Sequence, residues 1–149
     1  MLRGICFETL AMNTDMINKL FSGLNIDVYR WRVNNYQAWK VDTHFELFEK
    51  EVYSGKELKR IISEPSGLIL ILSLLAFNGE ISEVKNYNEF KNSNSILAVL
   101  ITDEQYIEIY CKCVQLLKQI ENNIHAFSGF FNVEYITDEN DQRTSFVLF

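Results

Sequence analysis

The stretch ILAVLITDEQYIEIYCKCVQLLKQIE, residues 96–121, decides the fold class of this chain. Its first six residues are apolar and predict a buried strand. Thr102 and Gln105 then have the spacing of a capping box, and Asp103 and Glu104 occupy a first turn where the helix dipole favours negative charge. Apolar side chains follow at the three- and four-residue steps of one helical face, at Tyr106, Ile109, Tyr110, Cys113, Leu117 and Ile120. The stretch therefore predicts a strand that leads into a long helix from about Asp103 to Glu121.

Other local signals extend this unit into an α+β domain. Asn13 or Thr14 is placed to cap a short helix, and a capping box at Ser54 and Glu57 opens another that Pro65 ends. Further strands are predicted at Leu2–Thr9, Phe130–Thr137 and Arg143–Phe149. Residues 1–149 are thus expected to form a single α+β domain, in which a mixed, largely antiparallel sheet packs against two or three helices.

The apolar run Leu68–Phe77 fits either a central strand or a buried helix. Ser66-Gly67 precedes the run, and the tight-turn dipeptide Asn78-Gly79 follows it. These boundaries favour the strand.

Composition limits the classes of partner and compartment. The chain has 149 residues, of which 48% are hydrophobic, so it is long enough to form a core without disulfides or metals. The net charge of −6 argues against nucleic acid or an anionic membrane as the main partner, since both favour a basic face. The longest apolar run is about half the roughly 20 residues that a membrane helix needs. An odd number of cysteines, three, and the absence of a signal-peptide pattern at the first residues predict a cytoplasmic protein.

A predicted hairpin offers one candidate binding surface. Val28–Val33 and Tyr36–Val41 flank Asn34-Asn35, which suits a two-residue turn. One face of this hairpin carries Trp31 and is expected to join the core. The other face gathers Arg30, Arg32 and Trp39, which suits an anionic ligand or an acidic segment of a protein partner. The alternative is that the arginines only cover an exposed indole ring.

A second candidate site follows the hairpin. If Asp42–Phe48 is a strand, alternation places Asp42, His44 and Glu46 on one face. Together with His125 these residues form the alternative hypothesis of a small metal-dependent or hydrolytic enzyme. The simpler interpretation is that Phe45 and Leu47 face the core while the polar side chains face water. No metal site is predicted, because metal ligands usually come from several elements.

Two further expectations concern cysteines and oligomeric state. Cys111 and Cys113 are assigned to the long helix, where a two-residue step separates them by about 200° and prevents joint chelation. Cys113 is then expected in the core and Cys111 at its boundary. The terminal strand Thr144–Phe149 would pair across a homodimer if it lies at a sheet edge.

Three segments resemble a known family. The opening LRGICFE at residues 2–8, NYNEF at 86–90 and YIEIYCK at 106–112 are similar to domain-of-unknown-function family 2691, a group of small bacterial proteins. The resemblance spans nearly the whole chain and implies a single-domain, bacterial, cytosolic protein. It carries no established activity or cofactor, so it leaves the function unknown.

The sequence favours a non-enzymatic interaction or regulatory module. The isolated glycines form no phosphate-binding loop, and no nucleophile elbow is present, so no cofactor is expected. A protein partner fits the acidic charge better than a nucleic acid or a membrane.

Overall fold

A seven-stranded antiparallel sheet organises the protein, for which a computed structural model describes residues 1–148. The strands are β1 (Leu2–Glu8), β2 (Arg30–Trp39), β3 (Val52–Ser54), β4 (Leu68–Phe77), β5 (Ser95–Thr102), β6 (Tyr106–Cys111) and β7 (Phe131–Thr137). The helices are α1 (Thr14–Leu20), α2 (Gly55–Ile62), α3 (Tyr87–Asn92) and α4 (Val114–Ala126), with a 3₁₀ turn at Ile26–Val28. Across the sheet the strand order is β3-β2-β4-β5-β6-β1-β7. The α+β fold class is therefore confirmed.

The leucine-rich run forms the central strand. Leu68–Phe77 is β4, as predicted, and it pairs with β2 on one side and β5 on the other. Both faces of its second half are buried, which explains why this strand is a continuous apolar run rather than an alternating one.

The two faces of the sheet are covered differently. Side chains such as Leu74, Val99 and Ile109 point to the face that packs beneath α1, α2 and α4. Their neighbours Leu75, Ala98 and Tyr110 point to the opposite face, where α3 and Phe146 cover them. We call this opposite face the open face, because its lower half, toward Glu8 and Tyr106, retains half-exposed and exposed side chains.

The predicted helix from Asp103 to Glu121 is wrong over its first half. Asp103 and Glu104 adopt left-handed backbone angles, with φ of 52° and 53°, and form the turn between β5 and β6. Residues 106–111 then pair with both β5 and β1. The apolar positions 107, 109 and 111 also fit strand alternation, and two neighbouring strands stabilise that alternative. The helix begins only at Val114 and ends at Ala126, and the proposed cap at Thr102 does not form.

The predicted hairpin is also wrong. Arg30–Trp39 is one continuous strand, and Tyr36–Trp39 pairs with residues 68–72 of β4 instead of folding back. Asn34-Asn35 lies at a register shift in this ladder. Pairing with a leucine-rich central strand buries more apolar surface than a two-stranded hairpin, and this favours the continuous strand.

Two shorter strand predictions fail. Residues 41–43 form a turn, His44 has a φ of 60°, and only Glu46 bridges to Trp39. Residues 143–148 have no strand pairing, and Phe149 lies outside the described residues. The homodimer expectation required an edge strand here, and residues 143–148 do not form one.

The capping box at the start of α2 is confirmed. The Ser54 hydroxyl accepts from Glu57 N, and Glu57 Oε1 accepts from Ser54 N at 2.9 Å. Lys50 Nζ also donates to Glu57 Oε2. The hydrogen bond from Lys50, followed by that from the Ser54 backbone, lowers the pKa of Glu57 from 4.5 to about 2.

Replacing Lys50 with Met should raise the pKa of Glu57 toward its ordinary value, as measured by carboxyl NMR titration. Because the folded-state pKa is depressed, the stabilisation is fully present above about pH 4.5 and is lost as the pH falls toward 2. Lys59→Met is the matched control, since Lys59 pairs with Asp27 instead. An unchanged Glu57 titration in Lys50→Met would contradict the prediction.

Candidate functional site

A row of side chains crosses the open face at one level of the sheet. Glu108 on β6 lies opposite Cys6 on β1, and Cys6 lies opposite Glu134 on β7. Directly opposed side chains on neighbouring strands have Cβ atoms about 5 Å apart. The Cys6 thiol is therefore flanked by a carboxylate on each side.

A hollow opens on each side of this row. Asn140, Arg143 and Val147 line the upper hollow, which has a volume of about 490 Å³. Glu8, Tyr106 and Asn132 line the lower hollow, also of about 490 Å³. Both hollows share Cys6, Glu108 and Glu134. We call the two together the acidic groove, defined by Cys6, Glu8, Glu108 and Glu134.

An aromatic ring lines the lower half of the groove. Tyr106 on β6 lies opposite Glu8 and lines the lower hollow, whereas Phe131 on β7 pairs with Glu8 at a register shift and lines neither hollow. Tyr106 is 49% exposed and Phe131 is 39% exposed. The groove thus combines carboxylates with accessible apolar surface.

A buried polar network forms the upper wall. The Asp141 side chain is only 2% exposed and accepts hydrogen bonds from Arg3 Nη1 and from the Tyr110 hydroxyl, each at 3.0 Å. Arg143 donates through Nε and Nη2 to Glu108 Oε1, at 2.9 and 2.6 Å. The Arg3 guanidinium carbon also lies 4.0 Å from the centre of the Tyr87 ring. The network fixes residues 138–143 against β1 and β6.

The network also shifts proton affinities. The hydrogen bond to Asp138 raises the pKa of Arg3, and the same contact lowers the pKa of Asp138. Burial raises the pKa of Tyr110, and the charges of Glu108 and Asp141 add to the effect. Burial lowers the pKa of Arg143, but hydrogen bonding and charge attraction to Glu108 outweigh it, so its net pKa is raised. Both arginines therefore stay charged, and Tyr110 stays protonated, at neutral pH.

The electrostatics of Cys6 oppose nucleophilic chemistry. Burial raises the pKa of this thiol, and the charges of Glu134 and Glu108 raise it further. A nucleophilic cysteine needs the opposite environment, with nearby positive charge that favours the thiolate. Glu8 and Glu134 form no ion pair within residues 1–148; Glu8 accepts only from Asn132 Nδ2, at 2.7 Å. These two carboxylates give the lower half of the groove negative charge.

The residues of the enzymatic hypothesis do not converge. Asp42, His44 and Glu46 are exposed on the loop after β2, where Glu46 accepts from the Tyr36 hydroxyl at 3.3 Å. His125 is in the last turn of α4, beside β7. Five strand-to-strand steps separate β2 from β7, which places His125 about 20 Å or more from that loop. Over residues 1–148, no group of three His, Cys, Asp or Glu side chains is arranged to hold a metal ion.

The predicted Arg30, Arg32 and Trp39 surface is divided by the continuous strand. Arg30 lies opposite Phe77 and Trp39 opposite Leu68, at opposite ends of the β2–β4 ladder. Nine residues of extended strand separate them by about 30 Å. Arg32 Nη2 lies 3.8 Å from Glu51, and its Nε is buried without a hydrogen-bond partner in the described chain. Arg30 and Arg32 share a face as predicted, but Trp39 does not join them.

The two cysteines of the C-x-C pair are also placed differently. Cys111 ends β6 and is buried, and burial raises its pKa to about 11. Cys113 occupies the N-cap position of α4, where its side chain makes no capping hydrogen bond, and is half-buried. Their expected core and boundary positions are therefore reversed.

Sequence reasoning missed the acidic groove. The alternation of Gly4, Cys6 and Glu8 on the predicted first strand was the available local signal. Glu108 was assigned to a helix, and no local pattern showed which strand lies beside Glu134. Only the order β6-β1-β7 brings these residues together.

Comparison with known proteins identifies the family. The family model described as protein of unknown function (DUF2691) matches residues 2–147. The chain belongs to this family. A relative of this DUF2691 protein, the uncharacterized protein YncE of Bacillus subtilis strain 168, is 28% identical over 152 residues. That match covers 98% of this chain and 99% of the relative, and it confirms the resemblance to a bacterial family of unknown function.

No solved structure matches this DUF2691 protein. Within residues 1–148, none of its helices is both long and apolar enough to span a membrane. Neither the family description nor the relative's name assigns an activity, so the function is unknown.

Proposed function

We propose that this protein is a non-enzymatic interaction module that binds a basic segment of a protein partner in the acidic groove. The observation that carries the proposal is the lower half of the open face, where Glu8 and Glu134 line the same hollow as the exposed ring of Tyr106. A sheet face that exposes an aromatic ring beside carboxylates without cationic partners suits a ligand that is both apolar and positively charged.

The geometry of the groove supports a peptide over a small cation. Two adjoining hollows extend along β1 from Glu8 past Cys6 toward residues 140–147, so an extended segment of several residues finds continuous contact. Lysine or arginine side chains would approach the carboxylates, while apolar side chains would cover the ring of Tyr106. The three free thiols, Cys6, Cys111 and Cys113, support a reducing, cytoplasmic location for this module.

The test uses a short synthetic peptide of alternating lysine and leucine, with binding followed by fluorescence anisotropy. Reversing two charges, with Glu8→Lys and Glu134→Lys together, should weaken binding by about tenfold or more, because attraction becomes repulsion. Binding of the unaltered protein should also weaken as salt is raised.

The matched control reverses Glu80 and Glu83, which are exposed and lie outside the groove. Both double variants change the net charge equally. Equal weakening in both would show only nonspecific attraction to an acidic protein, and this would overturn the proposal. Equally tight binding of a peptide of alternating glutamate and leucine would do the same.

A further inference from the structure

A second groove lies on another part of the molecule, between α3, the start of α4 and β7. It has a volume of about 410 Å³ and includes Leu2, Val114, Leu117 and Tyr135 in its walls. Val114 is 77% exposed although it is the first residue of α4. The groove therefore presents accessible apolar surface to a ligand.

Three lysines, Lys91, Lys112 and Lys118, line the same groove, and we call it the lysine groove. Within the described chain, none of the three forms an ion pair, in contrast to Lys50, Lys59 and Lys85. The carboxylate of Glu121 also lines the groove, but it accepts a hydrogen bond from the Tyr135 hydroxyl. Three lysines beside this one carboxylate give the groove a net positive charge, in a chain whose net charge is −6.

Lys112 is held in place without a compensating negative charge. Its Nζ donates to Ser93 O at 2.7 Å and to Lys91 O at 3.3 Å, and it lies 5.0 Å from the centre of the Phe90 ring. Burial lowers the pKa of Lys112. An ammonium has three donors, so one remains for a ligand.

We propose that the lysine groove binds an anionic amphiphile of the fatty-acid class, with its carboxylate among the three lysines and its acyl chain against the apolar wall. The volume lies at the small end of the range for small-molecule sites, about 300–1,000 Å³, which favours a single chain over a folded partner. Each methylene that leaves water against Val114 and its neighbours adds to the binding free energy, so a longer acyl chain should bind more tightly. This site is separate from the acidic groove, and the proposal does not depend on the proposed function.

The experiment titrates the ¹⁵N-labelled protein with sodium dodecanoate below its micelle concentration and follows backbone amide shifts. Saturable shifts are expected at residues 112–118 and at Lys91. Acetate, which has the head group alone, and dodecyltrimethylammonium, which has the same chain with a cationic head, should bind much more weakly. Equal binding of the cationic amphiphile would overturn the proposal, as would absence of saturable binding or shifts confined to the acidic groove.

Variants assign the binding to the lysines and the apolar wall. The double variant Lys91→Gln and Lys118→Gln should weaken dodecanoate binding about five- to tenfold. Lys56→Gln with Lys85→Gln is the control, since it removes the same charge outside the groove and should change binding less than about twofold.

A second variant tests the apolar wall. Val114→Asp should abolish dodecanoate binding while the protein still folds, because an acid is favourable in the first turn of a helix. Unchanged binding in both Lys91→Gln/Lys118→Gln and Val114→Asp would exclude this site.

Discussion

Gly4→Ala is expected to destabilise the protein by about 3 kcal/mol or more. Gly4 lies in β1 between β6 and β7, and a Cβ atom there would lie 1.8 Å from Ile109 O and 2.8 Å from Ile109 C. These are backbone atoms of the neighbouring strand, so no side-chain rotation relieves the clash. Two strands of the sheet must move apart, and this disturbs the pairing that carries the acidic groove. Urea unfolding followed by circular dichroism measures the loss.

Cys6→Ala is the matched control for this experiment. Cys6 is two residues along the same strand and on the same face, but the substitution removes an atom instead of adding one. Its cost in unfolding free energy should be about 1 kcal/mol, because the site is only half-buried. A Gly4→Ala protein as stable as Cys6→Ala would show that β1 and β6 are not packed this closely.

Asp141→Ala is expected to cost about 3 kcal/mol, the second largest effect. The substitution removes the acceptor that Arg3, the Tyr110 hydroxyl and the Arg143 backbone N share. It leaves the half-buried Arg3 with Asp138 alone and the Arg143 N–H without this partner. Residues 143–148 should then exchange amide hydrogens faster, since the network no longer fixes the upper wall of the groove.

Asp138→Ala provides the contrast. Asp138 also pairs with Arg3, at 2.7 Å, but its side chain is 46% exposed. Water screens an exposed pair strongly, so the loss of stability should be clearly smaller. If the two variants lose the same unfolding free energy, the ion pair with Arg3 explains the stabilisation and the burial of Asp141 adds nothing to it.

Local signals predicted many elements correctly. β1, β4, β5 and β7, the cap at Asn13 and the capping box at Ser54 and Glu57 all follow from patterns within about ten residues. Tyr106–Cys111 was mistaken for helix because its apolar residues satisfy both helical and strand spacing. The choice between them depends on β5 and β1, which flank it in the sheet.

The candidate sites depended more heavily on distant contacts. Arg30 and Arg32 share a face, as strand alternation requires. Trp39 lies far from them because the strand continues past Val33 instead of folding back. Strand alternation predicted that one face carries Asp42, His44 and Glu46. The chain turns at residues 41–43 instead, so the alternation does not apply. Lys91 and Lys118 are close only because α3 and α4 border the same groove.

Composition and local periodicity are enough to predict the α+β class, the central apolar strand and the acidic character of the chain, because none of these depends on distant contacts. Which strands are neighbours follows only from the tertiary structure. Cys6 lies more than a hundred residues before Glu108 and Glu134 in the sequence. The three nevertheless form one row, because β1 lies between β6 and β7 in the sheet. Strand order is set by the burial of both sheet faces together, and no local pattern encodes it.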